Sequence, residues 1–99
     1  MSRVIWSTHA LSDLDAIKLY LNEHAHAVTD DFLTRLLLST RKLETFPDIG
    51  SILDATTTPP IRQIHFPPFR IIYHVSDGIP QILRVYHYAR RLGPDVYTP

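Results

Sequence analysis

Residues 69–91, FRIIYHVSDGIPQILRVYHYARR, load Arg70, His74, Arg84, Tyr86, His87, Tyr88, Arg90 and Arg91 onto what reads as a two-stranded hairpin. A run of cations, imidazoles and phenols on so little backbone is costly unless something anionic meets it. Arg62, Arg70, Arg84, His87 and Tyr88 hold the residue types of a metal-independent RNA-cleaving set. In such a set arginines hold the scissile phosphate, and His or Tyr moves a proton from the 2′-hydroxyl or to the leaving oxygen. The bland alternative is a solvated strand face with His87 hydrogen-bonded at a strand end, and no spacing here is diagnostic.

Other chemistries fit less well. The six histidines raise a metal site, but three or four ligands would have to converge and the acidic residues lie mostly in the other half of the chain, so no metal and no cofactor is expected. Arginines and tyrosines also stack on single-stranded bases, yet ten Lys and Arg balance ten Asp and Glu, which disfavours strong nonspecific nucleic-acid binding. That zero net charge conceals an asymmetry. Residues 1–60 hold five basic against eight acidic residues, and residues 61–99 hold five against two, all five being arginine. Arginine without lysine suggests planar, bidentate contacts to phosphate or carboxylate.

The 99 residues suffice for one domain spanning 1–99, with one core and no room for a separate cofactor domain. No cysteine is present, which suits a reducing cytosol, and neither a signal peptide nor an apolar run of ~20 residues is visible. A cytoplasmic protein without a membrane partner is expected.

Several elements must position the cations. Arg3 to Trp6 reads as a strand, and Ser7 or Thr8 caps a helix in which Ala10, Leu14, Ile17 and Leu21 recur at helical spacing, with Asp13 off that face. Trp6 is expected to anchor this strand in the core. Thr29 is expected to cap a second helix whose stripe holds Phe32, Leu33, Leu36, Leu37, Thr40 and Leu43, ended by Pro47 and Gly50. Leu14, Ile17, Leu21, Leu33, Leu36, Leu37, Leu43, Ile71 and Val85 should be largely buried. Ser51 to Pro60 has no usable period and reads as a loop. Three strands follow, Ile61 to Phe66, Phe69 to Val75 and about Ile79 to Tyr88, with Pro80 at an edge or bulge. The expected fold is α+β, in the order β-α-α-β-β-β: a twisted antiparallel sheet with an N-terminal helical hairpin packed on one face.

Parity places the cations. An odd hairpin loop puts Arg70, Ile72 and His74 on one face with Ile82, Arg84, Tyr86 and Tyr88, leaving Ile71, Tyr73, Leu83 and Val85 for the helices. A two-residue Asp-Gly loop would bury charge on either face, so the odd loop is expected.

In this order the motifs resemble the RelE/ParE superfamily of type II toxin–antitoxin toxins, and within it the ParE-like branch. WSTHALSDLDAIKLYL is similar to the family's first helix, LETFPDIG to the end of its second, IRQIHFPPFRIIYHV to an Arg-led strand followed by Pro-aromatic-Arg-Ile-Ile-Tyr, and ILRVYHYARR to its closing strand. The resemblance implies a bacterial toxin of the plasmid-stabilisation kind, neutralised by a cognate antitoxin and able to enter a higher-order toxin–antitoxin oligomer. It implies a ParE-like inhibitor of DNA gyrase that is not an enzyme, with Arg84, His87, Tyr88, Arg90 and Arg91 as target contacts. The alternatives are a RelE-like ribosome-dependent mRNA interferase, an endoribonuclease working on ribosome and mRNA, and a non-toxic binding module on the same fold. His87-Tyr88 is similar to the ending of some ribonucleases of the superfamily. No carboxylate base can be matched, since Glu44 and Asp48 fall at the end of the second helix. The antitoxin is expected to lay a helix or strand across the helical hairpin and the sheet edge.

Overall fold

A computed structural model describes residues 3–93, in the order β1 (Ile5–Trp6), α1 (Thr8–His24), a 3-10 turn (His26–Val28), α2 (Thr29–Ser39), α3 (Lys42–Thr45), β2 (Ser51–Asp54), β3 (Ile61–Phe66), β4 (Phe69–Ser76) and β5 (Ile79–His87). The strands form one sheet in the order β1-β5-β4-β3-β2, and β1 runs parallel to β5 while the other pairs are antiparallel. The α+β class and the helical hairpin on one face are as expected. The sheet is mixed and has one strand more than the sequence suggested.

That extra strand is β2, within the segment read as a loop. It is short, and its register slips between Ile52 and Asp54, so no alternation survives to mark it. Its strand character comes from pairing with the edge of β3.

Local chemistry sets the helices. Ser7 caps α1, its Oγ accepting from the Ala10 amide at 3.0 Å. The second helix breaks at Ser39 and Thr40, whose hydroxyls donate to the carbonyls of Leu36 and Leu37 at 2.6 and 2.7 Å and so compete with the ladder. Thr29 is not the cap expected. The chain enters α2 through the 3-10 turn, Val28 precedes it, and the buried Thr29 hydroxyl has no hydrogen-bond partner.

The core between helices and sheet holds Ala10, Ile17, Leu36, Leu43, Ile64, Ile71, Tyr73, Ile82 and Val85, with Trp6, Leu14, Leu21 and Leu33 packed against it. Leu37 departs from expectation, being 43% exposed. Leu36, Leu37 and Leu38 together sweep more than half of the helix circumference, and a hairpin lying on one sheet face covers only one stripe.

The hairpin loop is two residues, not odd. Asp77 and Gly78 both have positive φ, 53° and 75°, the geometry of a tight turn that joins Ser76 to Ile79. The opposite parity farther on comes from a bulge. Tyr73 pairs with Ile82 but Ile72 pairs with Arg84, so Leu83 is the extra residue. Arg70, Ile72, Arg84 and Tyr86 therefore share the face away from the helices as expected, whereas Ile82 and Leu83 have exchanged faces. That far face is not wholly polar: Ile61, Ile72, Leu83 and Tyr86 make a second small core, covered by Leu53 and Leu92. Pro80 lies in β5, which has strands on both sides, and is tolerated because pairing with β1 begins at Gln81.

Candidate target-binding surface

Beyond Trp6 no strand pairs with the β1 side of β5 among the described residues, and the exposed ladder groups there are met by α1. The Ser7 amide donates to the Ile82 carbonyl at 2.9 Å and its hydroxyl to the Leu83 carbonyl at 3.0 Å. Farther along α1, Asp13 Oδ2 accepts from the Val85 amide at 2.9 Å. The same carboxylate holds Arg84 through both oxygens, Nε to Oδ2 and Nη2 to Oδ1, each at 2.9 Å. The pair is about four-fifths buried, and this hydrogen bonding raises the Arg84 pKa further above its already high ordinary value. Asp13 was missed as a functional residue. Asp13 does not lie off the apolar face as expected: it stands three residues after Ala10 and four before Ile17, beside the buried stripe, where a carboxylate demands a partner.

β5 ends at His87, and the following turn folds back over the far face. The Tyr88 amide donates to the Pro68 carbonyl at 2.9 Å and the Arg90 amide to the His87 carbonyl at 3.0 Å. Arg70 Nη2 donates to the Tyr88 carbonyl at 3.2 Å, with its guanidinium 5.9 Å from the Tyr88 ring. His65 meets the same ring edge-on at 5.5 Å. Deeper, both Arg84 and Arg90 lie against the buried Tyr86 ring, at 4.4 and 4.2 Å from its centroid. Arg90, Arg91 and Tyr88 are exposed around this stack.

The other two residues of the proposed cleaving set lie elsewhere. Arg62 pairs with Tyr73 and so faces the helices, where its Nη1 donates to the carbonyls of Asp48 and Gly50 at 3.0 and 2.8 Å. Tyr73 secures the same segment: its hydroxyl donates to the Pro47 carbonyl at 2.7 Å and accepts from the Gly50 amide at 2.9 Å. A Cβ on Gly50 would sit 2.6 Å from the Tyr73 ring and hydroxyl, so this glycine serves close approach and not, like Gly78, a positive φ. Burial pushes the Tyr73 phenol up.

His87 also turns to the helix side. It pairs with Phe69, meets that ring edge-on at 5.7 Å, and accepts the Ala89 amide at Nδ1 at 3.0 Å, which leaves Nε2 as the protonated nitrogen of the neutral ring. It borders an apolar cleft of about 440 Å³ lined by Ala16, Ile17, Tyr20, Leu21, Phe32 and Phe69. The structure thus brings Arg70, Arg84, Tyr88 and Arg90 to one face, with Arg62 and His87 on the other. No group of three His, Asp or Glu side chains placed to hold a metal occurs among the described residues.

The family model for the ParE toxin of type II toxin–antitoxin systems, parDE, matches residues 4–92. The chain belongs to the ParE toxin family. A curated relative, Toxin RelE2 of Caulobacter vibrioides, is 33% identical over 91 residues, covering 91% of this chain and 99% of its own. The solved chromosomal ParDE toxin–antitoxin system from P. aeruginosa has the same fold, with a TM-score of 0.73 at 21% identity over 88% of this chain and 96% of that one. As a ParE/RelE toxin of a type II system, this ParE-family chain has a cognate antitoxin as partner. No described helix is long and apolar enough to cross a membrane.

Proposed function

We propose that the chain is a ParE-like inhibitor of DNA gyrase acting in the bacterial cytoplasm, with Tyr88, Arg90 and Arg91 as exposed target contacts. The observation that carries this reading is the dispersal of the cleaving set. Arg62 is committed to backbone carbonyls on the helix side, Arg84 to Asp13, and His87 faces a cleft away from Arg70. A proton-transferring residue must stand within hydrogen-bond reach of the phosphate that the arginines bind, and His87 and Arg70 lie on opposite faces. A contact surface has no such requirement.

Ribosome-dependent mRNA cleavage is the second reading, and one observation favours it. Arg70, His65 and Tyr88 meet on the far face, and Arg70 Nε is buried there without a partner. Controlled expression in a bacterium separates the two. Gyrase inhibition predicts relaxed plasmid DNA with intact transcripts, whereas cuts in ribosome-bound mRNA with unchanged supercoiling would overturn the leading reading. Absence of both effects would leave a non-toxic binding module.

The cleft beside His87 is the surface on which we place the antitoxin. It is apolar, it lies between the helical hairpin and the sheet end, and Tyr20 in its wall is exposed. An amphipathic segment that folds on binding would cover it. Hydrogen exchange with and without antitoxin should show new protection in α1 and the end of β5; unchanged protection there would exclude this placement.

A further inference from the structure

We propose that Asp13 is a positioning residue for the target surface, setting Arg90 through Arg84 and Tyr86; this rests on the reading that Arg90 contacts the target. The side chains form a connected series from the buried α1 stripe to the exposed turn. Asp13 grips Arg84 by two hydrogen bonds of 2.9 Å and the Val85 amide by a third. A planar fork held at two points has one orientation, whereas a single charge contact would leave the guanidinium free to swing. So fixed, Arg84 lies 4.4 Å from the centroid of Tyr86, a ring only 2% exposed. Arg90 lies 4.2 Å from the same centroid while its own residue is exposed.

An exposed arginine ordinarily loses considerable rotamer freedom when it binds, and a ring that already orients it lowers that cost. Two cations against one ring would repel, and the Asp13 carboxylate offsets the charge of the inner one. The aspartate therefore acts on both the geometry and the charge of the stack. Its contribution to target affinity is made without touching the target.

The test uses the full chain and reads Arg90 directly. In the NMR spectrum of the wild type the Arg90 side-chain protons should be shifted upfield by the Tyr86 ring current, with Arg90→Gln identifying the signals. Asp13→Asn keeps an acceptor for the Val85 amide but loses the charged fork. In that variant the Arg90 shift should collapse towards its unstructured value while core methyl signals such as those of Leu36 stay in place. Target inhibition by Asp13→Asn should fall about as far as that of Arg90→Gln, roughly tenfold, and the double variant should be no weaker than either single one. An unmoved Arg90 shift, or fully additive losses in the double variant, would overturn the proposal. Should Asp13→Asn fail to fold, Arg84→Lys, which keeps the charge and removes the planar fork, must produce the same collapse or the proposal is wrong. If Arg90→Gln inhibits as well as wild type, the target reading fails, and the NMR shift still decides whether Asp13 positions Arg90.

Discussion

The two faces of the sheet use the same residue types for opposite ends. On the helix side, Arg62 and Tyr73 are turned inward and spend their hydrogen bonds on the carbonyls and amide of the Pro47–Gly50 segment, fastening the end of the helical hairpin to β3 and β4. On the far side, Arg70 lies against Tyr88 and Arg90 against Tyr86 around a core of only a few residues, leaving Tyr88 and Arg90 exposed. Burial decides the difference. Under a helical layer a polar side chain is costly unless the protein satisfies it, as it does for Arg62 and Tyr73 though not for the Thr29 hydroxyl, whereas a face without such a layer allows guanidinium and phenol to keep capacity for a partner.

This contrast predicts unequal responses to substitution. The largest effect should come from the covered face: Leu36→Ala, at a fully buried site, is expected to cost about 2–5 kcal/mol in urea unfolding. A loss below 1 kcal/mol would mean that the helices do not pack as described. Gly50→Ala should follow at about 1–3 kcal/mol, because the added methyl meets Tyr73 and the Gln63 carbonyl within 2.7 Å.

Tyr73→Phe should cost about 1–2 kcal/mol by leaving the Gly50 amide unpaired. It should also change the alkaline limb of the stability curve. Burial raises the Tyr73 pKa from 10.0, so below that pH the phenol is neutral in both folded and unfolded chains and its stabilisation is complete. Above it the unfolded phenol ionises first, and stability falls until the folded group titrates. The wild type should therefore lose stability above about pH 10 more steeply than Tyr73→Phe, and parallel curves would remove this role from Tyr73.

The smallest effect on the fold belongs to the far face. Arg90→Gln should leave unfolding within about 0.5 kcal/mol of wild type while weakening target inhibition by an amount typical of interface contacts, about 1–2 kcal/mol. A destabilisation as large as that of Tyr73→Phe would erase the distinction between the faces.

Much of this molecule was readable from local pattern. The spacing of Ala10, Leu14, Ile17 and Leu21, a cap at Ser7 or Thr8, and the bounds of β3 all follow from short-range rules of period and capping, which act within a few residues and need no partner to be known; the structure selects Ser7. The face assignment of Arg70, Arg84 and Tyr86 was also correct, although the cause was a bulge at Leu83 and not the loop. What sequence alone could not decide were the features set by a neighbour distant along the chain. β2 is a strand because β3 offers an edge, β1 is parallel because the helical hairpin carries the chain across the sheet, and Leu37 is exposed because only one layer covers the helices. The fate of each arginine belongs here too. Arg62, Arg84 and Arg90 are chemically alike in sequence, and only register and edge position commit the first to backbone carbonyls, the second to a carboxylate 71 residues away, and the third to a ring beneath solvent, since a guanidinium bonds whatever the fold brings within about 3 Å.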